Sequence, residues 1–142
     1  MRGSLLHEIG GWKIDDVARA LRERSASARE ICAATFARIA EENPKNNSFL
    51  TVTEERALSR ADEMDKRLAA GESLPALAGV PLAVKDVIVT EGVRTTCSSR
   101  VLENYIPPYS ATAVERLEAA GAIIVGKTNC DEFAMEIGRA HV

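Results

Sequence analysis

The chain has 142 residues, which is enough for one domain with a hydrophobic core. Its 18 basic and 21 acidic residues give a net charge of -3, and this balance argues against a nucleic-acid-binding surface spread over the segment. Aromatic residues make up only 4% of a chain rich in Ala, Leu, Ile and Val, a composition typical of an α/β enzyme core.

Cysteine spacing and hydropathy predict the cellular setting. Cys32, Cys97 and Cys130 form no CxxC or Cys/His grouping, which favours reduced thiols over a disulfide framework or a zinc site. The N-terminus lacks the sustained apolar segment of a secretory signal, and no stretch approaches the length of a transmembrane helix. We therefore expect a soluble, cytoplasmic protein without a membrane partner.

Two helices are predicted at the start of the chain. Apolar residues at helical spacing predict a helix over residues 14–24. The hydroxyl of Ser27 and the carboxylate of Glu30 form a capping-box pattern, so a second helix is expected to begin there. Residues 43–44 (Asn-Pro) are expected to stop that helix near Glu42.

Strands and helices are predicted to alternate in the rest of the chain. Residues 48–52 predict a strand, Thr53 is placed to cap a third helix, and Gly71 is its expected stop. A second capping-box pattern, Thr112 with Glu115, predicts a helix that ends at Gly121 and is followed by a buried strand over 122–125. This order of elements indicates a sheet covered by helices.

The most apolar run in the sequence spans residues 77–90 and contains a Lys-Asp pair. Its β-branched residues predict a buried strand, or two short ones. Because an unpaired buried charge is costly, Lys85 is either a strand-end lysine whose stem lies on apolar surface or a lysine held in a dry site for chemistry. In an extended strand Asp86 would point to the opposite face, so adjacency alone does not pair it with Lys85.

Residues 121–128 (GAIIVGKT) satisfy the phosphate-loop pattern GxxxxGK[ST] letter for letter. That chemistry needs the four variable positions in a loop between a strand and a helix. Here those positions are strand-forming residues, and a helix is predicted before the first Gly. We therefore interpret the match as a false positive for nucleotide binding.

The serines and histidines do not form a recognisable catalytic set. Ser98 and Ser99 lie in a polar loop, but a hydroxyl nucleophile needs a positioned base. The only histidines, His7 and His141, have no supporting acid at recognisable spacing. The serines are interpreted as hydrogen-bonding loop residues. Lys85 remains the candidate for chemistry, because a buried lysine can be neutral and act as a base.

Several segments resemble the amidase signature family. They are GVPLAVKD, GVRTTCSS, LENYIPPYSATAVERLEAAGA and IIVGKTNCDEFAM, together with SASAREICAATFARIAEENPKNNSFLTV in the front half. The resemblance covers about residues 12–135 and is strongest to the A subunits of aspartyl/glutamyl-tRNA amidotransferases. It implies the N-terminal part of the α/β amidase signature fold, an incomplete mixed β-sheet covered by helices.

The resemblance implies a Ser–cis-Ser–Lys triad whose lysine falls on Lys85. In the family, the lysine works through the cis serine to activate a second serine, which attacks the amide of glutamine and releases ammonia. Both serines belong to a Ser/Gly-rich segment that does not occur in this sequence. Ser98 and Ser99 are therefore not assigned to the triad, and the chain alone is expected to be inactive.

The resemblance also implies partners and cofactors. The chain would belong to a heterotrimer with subunits B and C, and the misacylated tRNA would bind mainly through the partner. That partner would use ATP and Mg²⁺ to activate Glu-tRNA(Gln) or Asp-tRNA(Asn), while no cofactor or metal is expected in this chain. Two alternatives stay open: a stand-alone amidase for small amides, and a non-catalytic binding domain in which Lys85 is only a strand-end residue.

The last residues depart from the family pattern. Residues 136–142 (EIGRAHV) can be encoded by GAG ATC GGA AGA GCA CAC GTC, which from its second base matches a common sequencing-library adapter. We therefore expect residues 1–135 to be the N-terminal portion of a single amidase domain. The tail over 136–142 is expected to be non-native read-through.

Overall fold

The computed structural model describes residues 8–135, so His7, His141 and the expected tail over 136–142 lie outside the described residues. The helices and strands of this part, in chain order, are α1 (Ile14–Arg22), α2 (Ala28–Asn46), β1 (Phe49–Val52), α3 (Glu54–Ala69), β2 (Pro81–Lys85), α4 (Thr112–Ala119) and β3 (Ile123–Thr128). Short 3₁₀ turns occur at Ile9–Gly11, Arg100–Leu102 and Glu132–Ala134. Between residues 8 and 135 no helix is long and apolar enough to cross a membrane.

The strands form one mixed sheet with β3 at its centre. β1 pairs with β3 in the antiparallel sense and β2 pairs with β3 in the parallel sense. Ile123 and Val125 face the main core with α2 and α3, whereas Ile124 packs with Val84 and with Val114 of α4 in a smaller cluster. The predicted mixed sheet covered by helices is therefore confirmed.

The start of α2 is as predicted, but its end is not. The Ser27 Oγ accepts a hydrogen bond from the Glu30 amide at 3.1 Å, and the Glu30 carboxylate accepts one from the Ser27 amide at 3.0 Å. The expected stop at Asn43-Pro44 is wrong, because the helix continues to Asn46 with Pro44 inside its last turn. A proline there removes a single helical hydrogen bond, and Asn47 ends the helix in a left-handed conformation with φ 49°.

Two predicted threonine caps are wrong, each for its own reason. Thr53 precedes α3, but its hydroxyl donates to the Ile124 carbonyl of β3 at 2.9 Å instead of capping the helix. Thr112 is already the first residue of α4, whose N-cap is Ala111. The second capping box is therefore not formed.

The apolar run over 77–90 contains less strand than predicted. Only Pro81–Lys85 is extended in the sheet, and a turn follows. Within the described part β2 is an edge strand, and Val84 is its one buried residue. The buried run is instead β3, which extends past the predicted 122–125 to Thr128.

Gly126 allows β1 to lie close to β3. A Cβ atom at this position would lie 2.5 Å from the Thr51 carbonyl oxygen and 2.9 Å from the Phe49 ring. Any larger residue would push the two strands apart, so the glycine is explained by sheet packing. This packing holds the next residue, Lys127, in the middle of the sheet.

Candidate functional site

Lys85 is the last residue of β2 and is half-buried. It is the ladder partner of Thr128 in β3, and its carbonyl accepts a hydrogen bond from the Ile88 amide at 3.0 Å. Val84 is the partner of Lys127. Because side chains alternate across a strand, Lys85 and Lys127 lie on opposite faces of the sheet. The candidate lysine therefore lies at a strand end that a tight turn closes.

Lys127 is the fully buried lysine of the described part, with a relative exposure of 0%. Its Nζ donates to the Ile88 carbonyl at 2.7 Å and to Thr95 Oγ1 at 2.6 Å. The carboxylate of Asp86, also 0% exposed, lies 3.9 Å away through Oδ1. One interpretation of Lys85 is a lysine held in a dry site. The lysine that the structure holds in such a site is Lys127.

Asp86 connects the end of β2 to the polar loop. Its Oδ2 accepts hydrogen bonds from the amides of Thr96 at 3.0 Å and Ser98 at 3.3 Å, and from the Thr96 hydroxyl. Its backbone carbonyl accepts a further bond from the Cys97 amide at 3.0 Å. Asp86 therefore faces Lys127 and the loop.

Burial dominates the electrostatics of this cluster. It lowers the pKa of Lys127 below the ordinary lysine value, and the neighbouring Asp86 carboxylate opposes that shift. It also raises the pKa of the Cys97 thiol, and Asp86 shifts that pKa in the same direction. Removing either charge of the pair would leave the other buried without its counter-charge, which is strongly unfavourable.

The loop serines are hydrogen-bonded to the segment after β3. Ser98 Oγ donates to Asn129 Oδ1 at 3.2 Å and accepts from the Cys130 amide at 3.2 Å. Ser99 Oγ donates to the Glu132 carboxylate. Both hydroxyls therefore hold the loop in place, as the sequence indicated.

The residues of the phosphate-loop pattern do not form a phosphate loop. Gly121 follows the end of α4, and residues 123–128 are strand. The prediction that Ala-Ile-Ile-Val is strand material is confirmed for three of its four residues, since β3 begins at Ile123. The Lys127 ammonium points into the protein, where Ile88 and Thr95 bind it.

Sequence reasoning missed the role of the Asp86–Lys127 pair. A signal was present, because Lys127 follows the apolar run over 122–126, the same anomaly that drew attention to Lys85. From the sequence alone, Lys127 is interpreted only as part of the nucleotide motif. A charge inside a buried strand predicts a buried partner, and the nearest carboxylate candidates are not identifiable from spacing alone.

Two other kinds of candidate site, a metal site and a cavity, do not involve Lys85. Across residues 8–135 no group of three or more His, Cys, Asp or Glu side chains is arranged to hold a metal ion. A cavity of about 380 Å³ lies where α2 meets β1, with Arg38, Asn43 and Phe49 among its lining residues. Lys85 is not among them.

The three thiols are expected to differ in reactivity. Burial raises the pKa of Cys32 to about 12, and the side chain is 0% exposed, whereas Cys97 and Cys130 are partly exposed. Because the thiolate is the reactive form, a raised pKa keeps Cys32 protonated, and iodoacetamide at pH 8.5 should modify it at least about 100-fold more slowly than Cys130. Peptide mass spectrometry of the folded protein measures both rates. In urea the two thiols should be modified at equal rates. Equal rates in the native protein as well would contradict the burial of Cys32.

Comparison with known proteins gives a consistent set of relatives. The family model described as Amidase matches residues 30–141. Over 122 residues the chain is 57% identical to the A subunit of the glutamyl-tRNA(Gln) amidotransferase of Thermosynechococcus vestitus, a match that covers 86% of this chain and 25% of that protein. The chain therefore spans about a quarter of the length of the curated relatives it matches.

Solved structures show the same fold. One of them is a chain of a vestigial protein complex that reveals the evolutionary origins of an s-triazine catabolic enzyme. It superposes with a TM-score of 0.83 at 38% identity, and the match covers 86% of this chain and 27% of that structure's chain. The peptide amidase of Stenotrophomonas maltophilia superposes with a TM-score of 0.80 at 28% identity, covering 85% and 25%. The three-stranded mixed sheet is thus part of a larger fold in these structures.

Proposed function

Because this chain belongs to the amidase family, we propose that it forms part of the glutamine-hydrolysing subunit of a tRNA-dependent amidotransferase. The observation that carries the proposal is the 57% identity to the A subunit of a glutamyl-tRNA(Gln) amidotransferase. The half-buried position of Lys85 at a strand end is compatible with a side chain that reaches a neighbouring site. The product would be Gln-tRNA(Gln), Asn-tRNA(Asn) or both.

The proposed chemistry divides between this chain and the part of the relatives that it does not span. The neutral amine of Lys85 accepts, through a cis serine, the proton of a second serine, whose Oγ attacks the side-chain carbonyl carbon of glutamine. The carbon–nitrogen bond breaks, the leaving nitrogen takes up the proton, and ammonia departs from an acyl-enzyme. Water then hydrolyses the ester to glutamate. Lys85 is the one residue of the chain that we assign to this chemistry.

The proposed assembly follows from the function. Subunits B and C would complete a heterotrimer, and the partner would bind the misacylated tRNA. The same partner would use ATP and Mg²⁺ to phosphorylate the tRNA-bound glutamate or aspartate, which ammonia then converts to the amide. These roles require no cofactor in this chain.

A fusion protein tests the proposal. In it, the matched part of this chain, without residues 136–142, replaces the 122 matched residues of the Thermosynechococcus vestitus relative. The fusion is co-expressed with that organism's two partner subunits. We expect ammonia release from glutamine, and conversion of Glu-tRNA(Gln) to Gln-tRNA(Gln) that requires ATP. A folded fusion without glutaminase activity would contradict the proposal. A folded fusion that hydrolyses small amides, with neither a preference for glutamine nor transfer to tRNA, would support a stand-alone amidase instead.

A further inference from the structure

The Asp86–Lys127 pair is linked to Lys85 through the backbone. Lys127 Nζ donates to the Ile88 carbonyl at 2.7 Å, and the Ile88 amide donates to the Lys85 carbonyl at 3.0 Å. The Asp86 amide donates to the Thr128 carbonyl at 3.0 Å. The peptide units directly after Lys85 are therefore held by β3 on one side and by the buried ammonium on the other.

The carboxylate extends the same network into the polar loop. Asp86 Oδ2 accepts from the amides of Thr96 and Ser98, and the second hydrogen bond of Lys127 goes to Thr95 Oγ1. Thr95 and Thr96 are both buried. Hydrogen bonds from both members of one ion pair therefore fix the turn after β2 and the start of the loop relative to each other.

The geometry of the pair argues against a role in stability alone. The Lys127 Nζ to Asp86 Oδ1 distance of 3.9 Å is too long for a hydrogen bond, and Oδ1 has no hydrogen-bond partner within the described residues. Both side chains are withdrawn from water, and a buried pair is often no more stabilising than apolar residues of similar size. The pair instead restrains the orientation of two segments. Its hydrogen bonds go to the turn that begins at Lys85 and to the loop packed against that turn.

We propose that Asp86 and Lys127 are positioning residues for Lys85, holding the strand end so that its ammonium or amine meets the serine pair. The inference rests on the proposed glutaminase function and deepens it. It assigns no contact with substrate to either residue. A displacement of a reacting group by about 1 Å can cost on the order of 100-fold in rate, so loss of this network should appear in kcat.

The test compares variants of the fusion protein at equal concentrations of folded enzyme. For Lys127→Met we expect kcat for glutamine to fall about 10- to 100-fold, while KM changes less than about 3-fold, because the inference gives neither residue a contact with glutamine. Val125→Ala is the matched control. This residue is on the same strand, is 3% exposed and packs in the main core, so its loss destabilises the fold but should leave kcat and KM unchanged.

The double variant Asp86→Asn/Lys127→Met separates positioning from stability. It removes both charges, so the stability of the fold is expected to recover while kcat stays low. The double variant remains informative even where Lys127→Met alone does not fold. Recovery of kcat together with the fold would overturn the inference. Its failure is distinguishable from that of the proposed function, because a folded parent fusion without glutaminase activity would contradict the function itself.

Discussion

Replacing Lys85 with Ala in the fusion protein is expected to lower kcat for glutamine hydrolysis by about 1,000-fold or more. A general base contributes about 100- to 10,000-fold, and removal of one member of a catalytic triad loses most of what the triad supplies. The alanine keeps the strand conformation, and Lys85 is half-buried, so the fold should be retained. Ammonia release under saturating glutamine measures the effect.

A matched control is available on the surface of α2. The Lys45 side chain is 60% exposed and, within residues 8–135, pairs with Glu41 and Glu42 of its own helix, so Lys45→Ala should leave kcat within about 2-fold of the parent. Full glutaminase activity of Lys85→Ala would contradict the catalytic assignment. Lys85 would then be a strand-end lysine with no role in the chemistry.

Replacing Lys127 with Met is expected to give the largest loss of stability, about 3–5 kcal/mol in the free energy of unfolding. The reason is that Asp86 would stay buried with its charge uncompensated, and breaking one side of a buried pair costs this much. Urea unfolding of the fusion protein, followed by circular dichroism, measures the change.

Two further variants decide whether the uncompensated charge is the cause. Lys45→Met makes the same chemical change on the surface and should shift the unfolding free energy by less than about 0.5 kcal/mol. Asp86→Asn/Lys127→Met should recover at least about half of the loss, because neither charge is then left alone, and a double-mutant cycle with the single variants gives the coupling. A Lys127→Met protein as stable as Lys45→Met would show that the pair is not a buried ion pair in solution.

The apolar run over 77–90 shows what a local sequence pattern can and cannot predict. Its β-branched residues predict an extended chain, and β2 is indeed there, but the pattern cannot show that the strand ends at Lys85. The turn at that end is held by a hydrogen bond from Lys127, which lies 42 positions later in the sequence than Lys85. Similarly, the hydroxyl of Thr53 fits a helix cap locally, and only the position of Ile124 shows where it donates.

The sequence by itself determined the helix order, the capping box at Ser27, the mixed α/β class and the choice of Lys85 as the residue to test. These follow from periodicity, local hydrogen bonding and the cost of a charge in an apolar run, which act over a few residues, and from the resemblance of whole motifs. Tertiary structure alone decided which lysine is buried. Val84 and Lys127 are brought side by side by the parallel pairing of β2 with β3, which places the Lys127 ammonium beside Asp86. Strand pairing depends on how the whole chain packs, so no short-range pattern contains it.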